Sequence, residues 1–180
     1  ALGALIFSFV YWSFGFLRMG TTGFVAQAKG TGDTEEVRAI FGRAGLIALV
    51  VGISLLLLQL PIGTVSFSLL SGEEAVESVA STYFFTRIWG APATLIIFVI
   101  MGVWIGLGES RELLKLQLFL NGSNMLLDII AAGVLGLGAQ GIAIGTVIAE
   151  VSTCFLGFYR LRNHLAQMQG SEGAGREFWP

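Results

Sequence analysis

The chain has 180 residues, 54% of them apolar and 12% charged, with a net charge of −2 and a mean hydropathy of +0.80. These proportions exclude a water-soluble domain, and the near-zero charge without a basic patch excludes nucleic acid as a partner. A single cysteine, Cys154, and a single histidine, His164, exclude an internal disulfide, a thiolate metal site and a histidine cluster.

In chain order, five stretches carry the roughly 20 apolar residues needed to cross about 30 Å of hydrocarbon: 1–28, 44–70, 81–108, 113–137 and 139–162. Lipid offers backbone groups no water, so each must be helical. The fold class predicted is all-α, a polytopic membrane protein with five transmembrane helices in residues 1–165, followed by a polar tail at 166–180. Pro61 and Pro92 fall inside spans and are expected to kink them. The chain opens apolar without Met and without a basic n-region, so it reads as a fragment rather than as a leader and its domain. The glycine pairs Gly102/Gly106 and Gly141/Gly145 have the small-xxx-small spacing that lets helix backbones approach, with static packing as the default and a sliding interface as the functional reading.

Charges in the connections orient these spans. Lys29, Arg38 and Arg43 lie in the first, three glutamates and no base in the second, Arg111 and Lys115 in the third, none in the fourth, and Arg160, Arg162 and Arg176 after the last span. Basic residues therefore alternate, which predicts that the first, third and final polar segments are cytoplasmic.

Four ionisable residues lie within spans: Arg18, Arg87, Asp128 and Glu150. Each costs at least about 2.5–3.5 kcal/mol at bilayer depth on insertion scales, so each calls for a partner or a wet cavity. Counting about 1.5 Å per residue puts Arg18 and Glu150 roughly 15–16 Å from the cytoplasmic boundary with opposite sign. They are candidates for a structural ion pair or a relay. Arg87, about two turns inside the outer boundary on the same count, is expected to snorkel. Asp128 lies about 13 Å below the outer surface with no base at that depth. Asn124 is one turn earlier on its face, and Thr146 lies at a similar depth on the following antiparallel span. An amide, a carboxylate and a hydroxyl can thus converge, either around a protonated Asp128, as hard oxygen ligands for a small cation, or as a satisfied hydrogen-bond network without turnover. Phe98, Met101 and Trp104 share a helical spacing that suits either a substrate cavity or ordinary packing. The tail segment "GSEGAG" fits a flexible linker and lacks the phosphate-loop pattern.

The stretches "FLRMGTTGFVAQAKG", "RIWGAPATLIIFVIMGVWIGLGESR" and "NMLLDIIAAGVLGLGAQGIAIGTVIAEVST" occur in order on these spans. In them the chain resembles the multidrug and toxic compound extrusion family, most closely its DNA-damage-inducible F branch. The resemblance implies a twelve-helix transporter of two six-helix lobes in the bacterial inner membrane, of which this chain supplies helices two to six of the N-terminal lobe. Residues 166–180 then begin the cytoplasmic link between lobes. It implies export of small organic, often cationic, compounds against protons or sodium, without a cofactor, by a protein that is monomeric at full length and not an enzyme. By the same resemblance Asn124 and Asp128 on helix five and Thr146 on helix six belong to the cation site, whose further aspartate on helix one this chain does not contain. Ile97 stands where relatives carry asparagine, which puts one polar contact of that site in doubt. The alternative is a flippase of lipid-linked oligosaccharides in the same superfamily. Flippase cavities carry several arginines, against which only Arg18 and Arg87 lie inside spans here.

Overall fold

The computed structural model describes residues 2–69 and 74–176, and side chains for 4–69 and 76–168. Every described regular element is helical. In order these are α1 (Leu2–Ser13), α2 (Gly15–Gly30), α3 (Thr34–Leu57), α4 (Gln59–Leu69), α5 (Glu74–Arg87), a 3-10 turn (Ile88–Gly90), α6 (Ala91–Gly106), α7 (Ser110–Asp128), a π-turn (Ile129–Val134) and α8 (Gly138–Arg176).

Among the described residues, three helical stretches are long and apolar enough to cross a membrane: Thr34–Leu57, Val76–Gly106, which contains the 3-10 turn, and Gly138–Met168. Three of the predicted spans are interrupted, the first at Phe14 between α1 and α2, the second at Leu58 between α3 and α4, and the fourth by the π-turn after Asp128. The prolines do not kink helices mid-course. Pro61 sits in the first turn of α4 just past a break at Leu58, and Pro92 in the first turn of α6 just past the 3-10 turn. In a first turn the missing N–H has no carbonyl to lose and the fixed φ suits the helix.

Helix α6 is the axis of the bundle. It is apolar on every side, and residues from Ala91 to Gly106 are buried around its whole circumference, as expected of a helix surrounded by others. Two apolar clusters flank it. One joins Phe7, Leu17, Phe67, Phe84 and Leu95; the other joins Val25, Val37, Ile97, Trp104, Leu116 and Leu161. In lipid, apolar surface alone does not drive helices together, so close approach has to supply the contact. Gly102 and Gly106 do so against α2: a Cβ on Gly102 would fall 2.7 Å from the Arg18 carbonyl oxygen, and one on Gly106 would fall 2.7 Å from Val25 Cβ. Thr22 Oγ1 donates to the Gly102 carbonyl at 3.2 Å across this contact. Gly141 and Gly145 bring α8 close to the π-turn and α7, where a Cβ would stand 3.1 Å from Ala131 Cβ and 3.0 Å from Asp128 Oδ1 respectively. Gly136 and Gly138, at φ +65° and +55°, make the turn into α8, a backbone region open to glycine.

The basic connections meet at one end of the bundle. Lys29 Nζ donates to the Leu107 carbonyl, Arg38 to the Leu165 carbonyl at 3.1 Å, and Arg160 to Glu112 at 2.8 Å. Asp33 caps α3 by accepting from the Glu36 N–H at 2.9 Å, with Glu35 and Glu36 in the first turn suiting the helix dipole. Helix α8 runs on to Arg176, so the tail expected to be a flexible linker from residue 166 is helical to that point. Residues 177–180 lie outside the described residues.

Candidate cation-coupling site

Asn124 and Asp128 lie one turn apart near the end of α7, and Thr146 lies two turns into α8. The structure joins Asn124 to Thr146, while Asp128 stands one turn further along α7. Asn124 Nδ2 donates to Thr146 Oγ1 at 3.0 Å, and that hydroxyl donates onward to the Ile142 carbonyl at 2.8 Å. Gly145 makes the approach of α8 feasible, because a Cβ there would stand 3.0 Å from Asp128 Oδ1 and 3.1 Å from Leu127 Cβ. Asp128 Oδ1 is itself buried and has no hydrogen-bond partner among the described residues. A buried polar atom without a partner marks a strained or functional position. The π-turn begins at the next residue, Ile129, and single π-turns inside α-helices recur at functional sites. The helix thus changes its winding immediately beside the carboxylate.

The pairing of Arg18 with Glu150 is not what forms. Glu150 is held by Arg87 through two hydrogen bonds, Nη1 to Oε2 at 2.7 Å and Nη2 to Oε1 at 2.5 Å, with both side chains buried. Arg18 is exposed on α2, where Leu17 and Thr21 take the inward positions. Matching depth fixed the level of Arg18 but not its direction around the helix. Arg87 corrects the snorkelling expectation as well. Its side chain is buried and turned inward onto Glu150 rather than reaching out to the boundary. Its guanidinium lies 5.3 Å from the Phe7 ring centroid and 5.7 Å from that of Tyr11, within cation–π range. Two opposite charges inside spans were the sequence signal for this cluster, and only the choice of arginine was wrong.

Of the three residues proposed for a substrate face, Met101 and Trp104 are buried and Phe98 is half-buried. Met101 and Trp104 are buried in the second apolar cluster, Ile97 with them, and Phe98 lies edge-on to Tyr11 at 6.3 Å. Residues at i, i+3 and i+6 share a face on any helix, but α6 is enclosed on all sides, so its faces meet other helices. Trp104 also borders a cavity of about 370 Å³ at the charged end, with Glu112, Arg160 and His164. There Lys115 and Arg160 hold the Glu112 carboxyl below the ordinary glutamate value, the Lys115 hydrogen bond at 2.6 Å being the larger influence. His164 lies 3.8 Å from Glu109 and edge-on to Trp104. Sequence reading missed this cluster, although Glu109, Glu112, Arg160 and His164 all fall at span ends.

A family model for MatE matches residues 1–130. The chain belongs to the MatE family. Proteins of this family are membrane transporters of small organic compounds rather than enzymes, and the chain is accordingly a multi-pass inner-membrane protein. It is 34% identical over 173 residues to the DNA damage-inducible protein F of Escherichia coli (strain K12), which covers 96% of this chain and 38% of that protein. Among solved structures it resembles a P26A mutant of a MATE protein (26% identity, TM-score 0.78, 88% of this chain and 36% of that one). It also resembles an outward-facing multidrug resistance MATE transporter (24%, TM-score 0.80, 89% and 36%). A MOP-superfamily transporter from Pyrococcus furiosus gives the same fold at 22% identity and TM-score 0.80, again over 89% of this chain and 36% of that one. This MatE chain therefore spans little more than a third of its relatives' length.

Proposed function

We propose that this chain is part of the N-terminal lobe of a cation-coupled antiporter that exports small organic compounds by alternating access. Asp128, Asn124 and Thr146 form its coupling site, and the coupling ion is H+ or Na+. The observation that carries the reading is Asp128 Oδ1, buried and unpartnered beside the Asn124–Thr146 hydrogen bond at the start of a π-turn. A carboxylate so placed gains a partner by taking a proton, or by sharing a small cation with the Asn124 and Thr146 oxygens. Either event removes a half-buried negative charge between α7 and α8 and changes which packing of the two is favoured. Export follows only if the cation and the exported compound prefer different conformations, since a ligand that binds both equally shifts nothing. The full-length protein acts as a monomer without a cofactor, and α8 beyond residue 165 leads toward a second lobe.

The test is Asp128→Asn in the full-length protein, reconstituted in vesicles with ethidium as the exported probe under a proton gradient alone and a sodium gradient alone. Gradient-driven efflux should fall at least about tenfold, equivalent to about 1.4 kcal/mol of lost coupling, while membrane insertion is unchanged. The gradient that drives efflux in the parent identifies the ion. Undiminished gradient-driven efflux in the variant would refute the assignment of Asp128.

A further inference from the structure

The buried Arg87–Glu150 pair stands outside the coupling site, one helical turn from it along α8. Glu150 follows Thr146 by four residues on α8, so both side chains lie on one face of that helix, one turn apart. From this position Glu150 grips Arg87 at the end of α5 in two-pronged fashion. The neighbouring backbone is shaped around the pair: a Cβ on Gly90 would sit 2.4 Å from Glu150 Oε2 and 2.9 Å from Arg87 Nη1. On its other side the guanidinium faces α1, through Phe7 at 5.3 Å and Tyr11 at 5.7 Å. Phe7 in turn stacks on Phe84 at 5.3 Å and meets Tyr83 edge-on at 6.3 Å. Helix α1 is separated from α2 by the break at Phe14 and packs chiefly on α5. The Tyr11 hydroxyl is buried against this cluster without a hydrogen bond among the described residues. The groups facing Glu150 and Arg87 are therefore each other, the Tyr11 and Tyr83 phenols, and the Thr94 hydroxyl, which donates to the Gly90 carbonyl at 3.1 Å.

An ion pair at this depth is costly, and well-packed apolar side chains hold helices together as firmly. What it adds is direction. One end belongs to the helix that carries Thr146; the other, on α5, lies against the rings of a half-helix with a break beneath it. We propose that Arg87 and Glu150 are positioning residues that link the Asp128–Asn124–Thr146 site to α1, so that the cation-dependent setting of α8 moves this half-helix. The inference rests on the proposed role of Asp128.

The test uses the full-length protein, otherwise free of cysteine, with Cys154→Ala and an environment-sensitive dye on Trp12→Cys; Trp12 is 82% exposed on α1. The dye reports α1 as protons or sodium are added. Carbodiimide modification of Asp128, followed by mass spectrometry, reports the coupling site directly through its protection by the cation. In Asp128→Asn the dye response should vanish. In the double variant Arg87→Met/Glu150→Leu, which removes both charges and preserves packing, the response should fall about fivefold or more, the lower end of coupling between linked sites, while protection of Asp128 stays within about twofold. Arg87→Lys, which keeps a cation between Glu150 and the rings, should retain at least about half of the response. An undiminished response in the double variant overturns the link. So does loss of Asp128 protection together with the response, since the pair would then merely hold the coupling site in shape, and so does an Arg87→Lys that behaves like the double variant. A response that persists in Asp128→Asn refutes the reading of Asp128 itself, in an arm where the pair is intact.

Discussion

Single residues in this protein are governed by where a charge or a missing Cβ falls. Glu112 is the clearest case outside the membrane. Its carboxyl accepts from Lys115 at 2.6 Å and from Arg160 at 2.8 Å, and its pKa lies below the ordinary 4.5. Because the folded value is depressed, the stabilisation from these contacts is fully present above the unfolded value and is lost as pH falls through the folded one. Thermal melting of the full-length protein in detergent should therefore show Glu112→Gln less stable than the parent at neutral pH, with the gap closing below about pH 4.5. A gap that widens on acidification would contradict this assignment. The sequence made Asp128, Asn124 and Thr146 legible because two are one turn apart and the third follows a short turn. It could not choose Arg87 over Arg18, since which way a side chain points around its helix depends on the neighbours that helix acquires.

At the scale of elements, close approach decides more than propensity. Gly102 holds α6 against α2 at a distance where a Cβ meets a backbone oxygen, which cannot swing aside as a flexible side chain would. Gly102→Val should destabilise by about 1–3 kcal/mol and lower the melting temperature of the full-length protein. Gly23→Ala on the outer side of α2, where nothing lies within 4 Å, should be neutral or slightly stabilising. Equal losses in both would mean that helix propensity rather than approach sets the cost. The π-turn at Ile129–Val134 and the break at Phe14 were not legible, because neither carries a proline and their local sequence is as apolar as any helix around them. The 3-10 turn before Pro92 was only half legible: the proline marked the place, and the structure made it a junction between α5 and α6 rather than a bend.

For the whole molecule, the alternation of basic connections predicts a definite threading. With a membrane-impermeant maleimide and a Cys154→Ala background, Thr31→Cys and Arg111→Cys should label from the cytoplasmic side, and Ser78→Cys from the opposite side. Labelling of Ser78→Cys and Thr31→Cys from one face would overturn the threading. The contacts that gather Lys29 with Leu107, Arg38 with Leu165 and Glu112 with Arg160 at one end agree with this arrangement. By itself the sequence determined that the chain is a helical membrane protein, roughly where its apolar segments run, and that Asp128 has an amide and a hydroxyl for company. Those follow from composition, from the length of apolar runs and from helical periodicity, all of which are local. Only the tertiary structure decided that Glu150 belongs to Arg87, that Met101 and Trp104 are core, and that the first, second and fourth spans are broken. Each of these depends on the rotation of one helix against another, which is fixed by glycine contacts and packed side chains far apart in the chain.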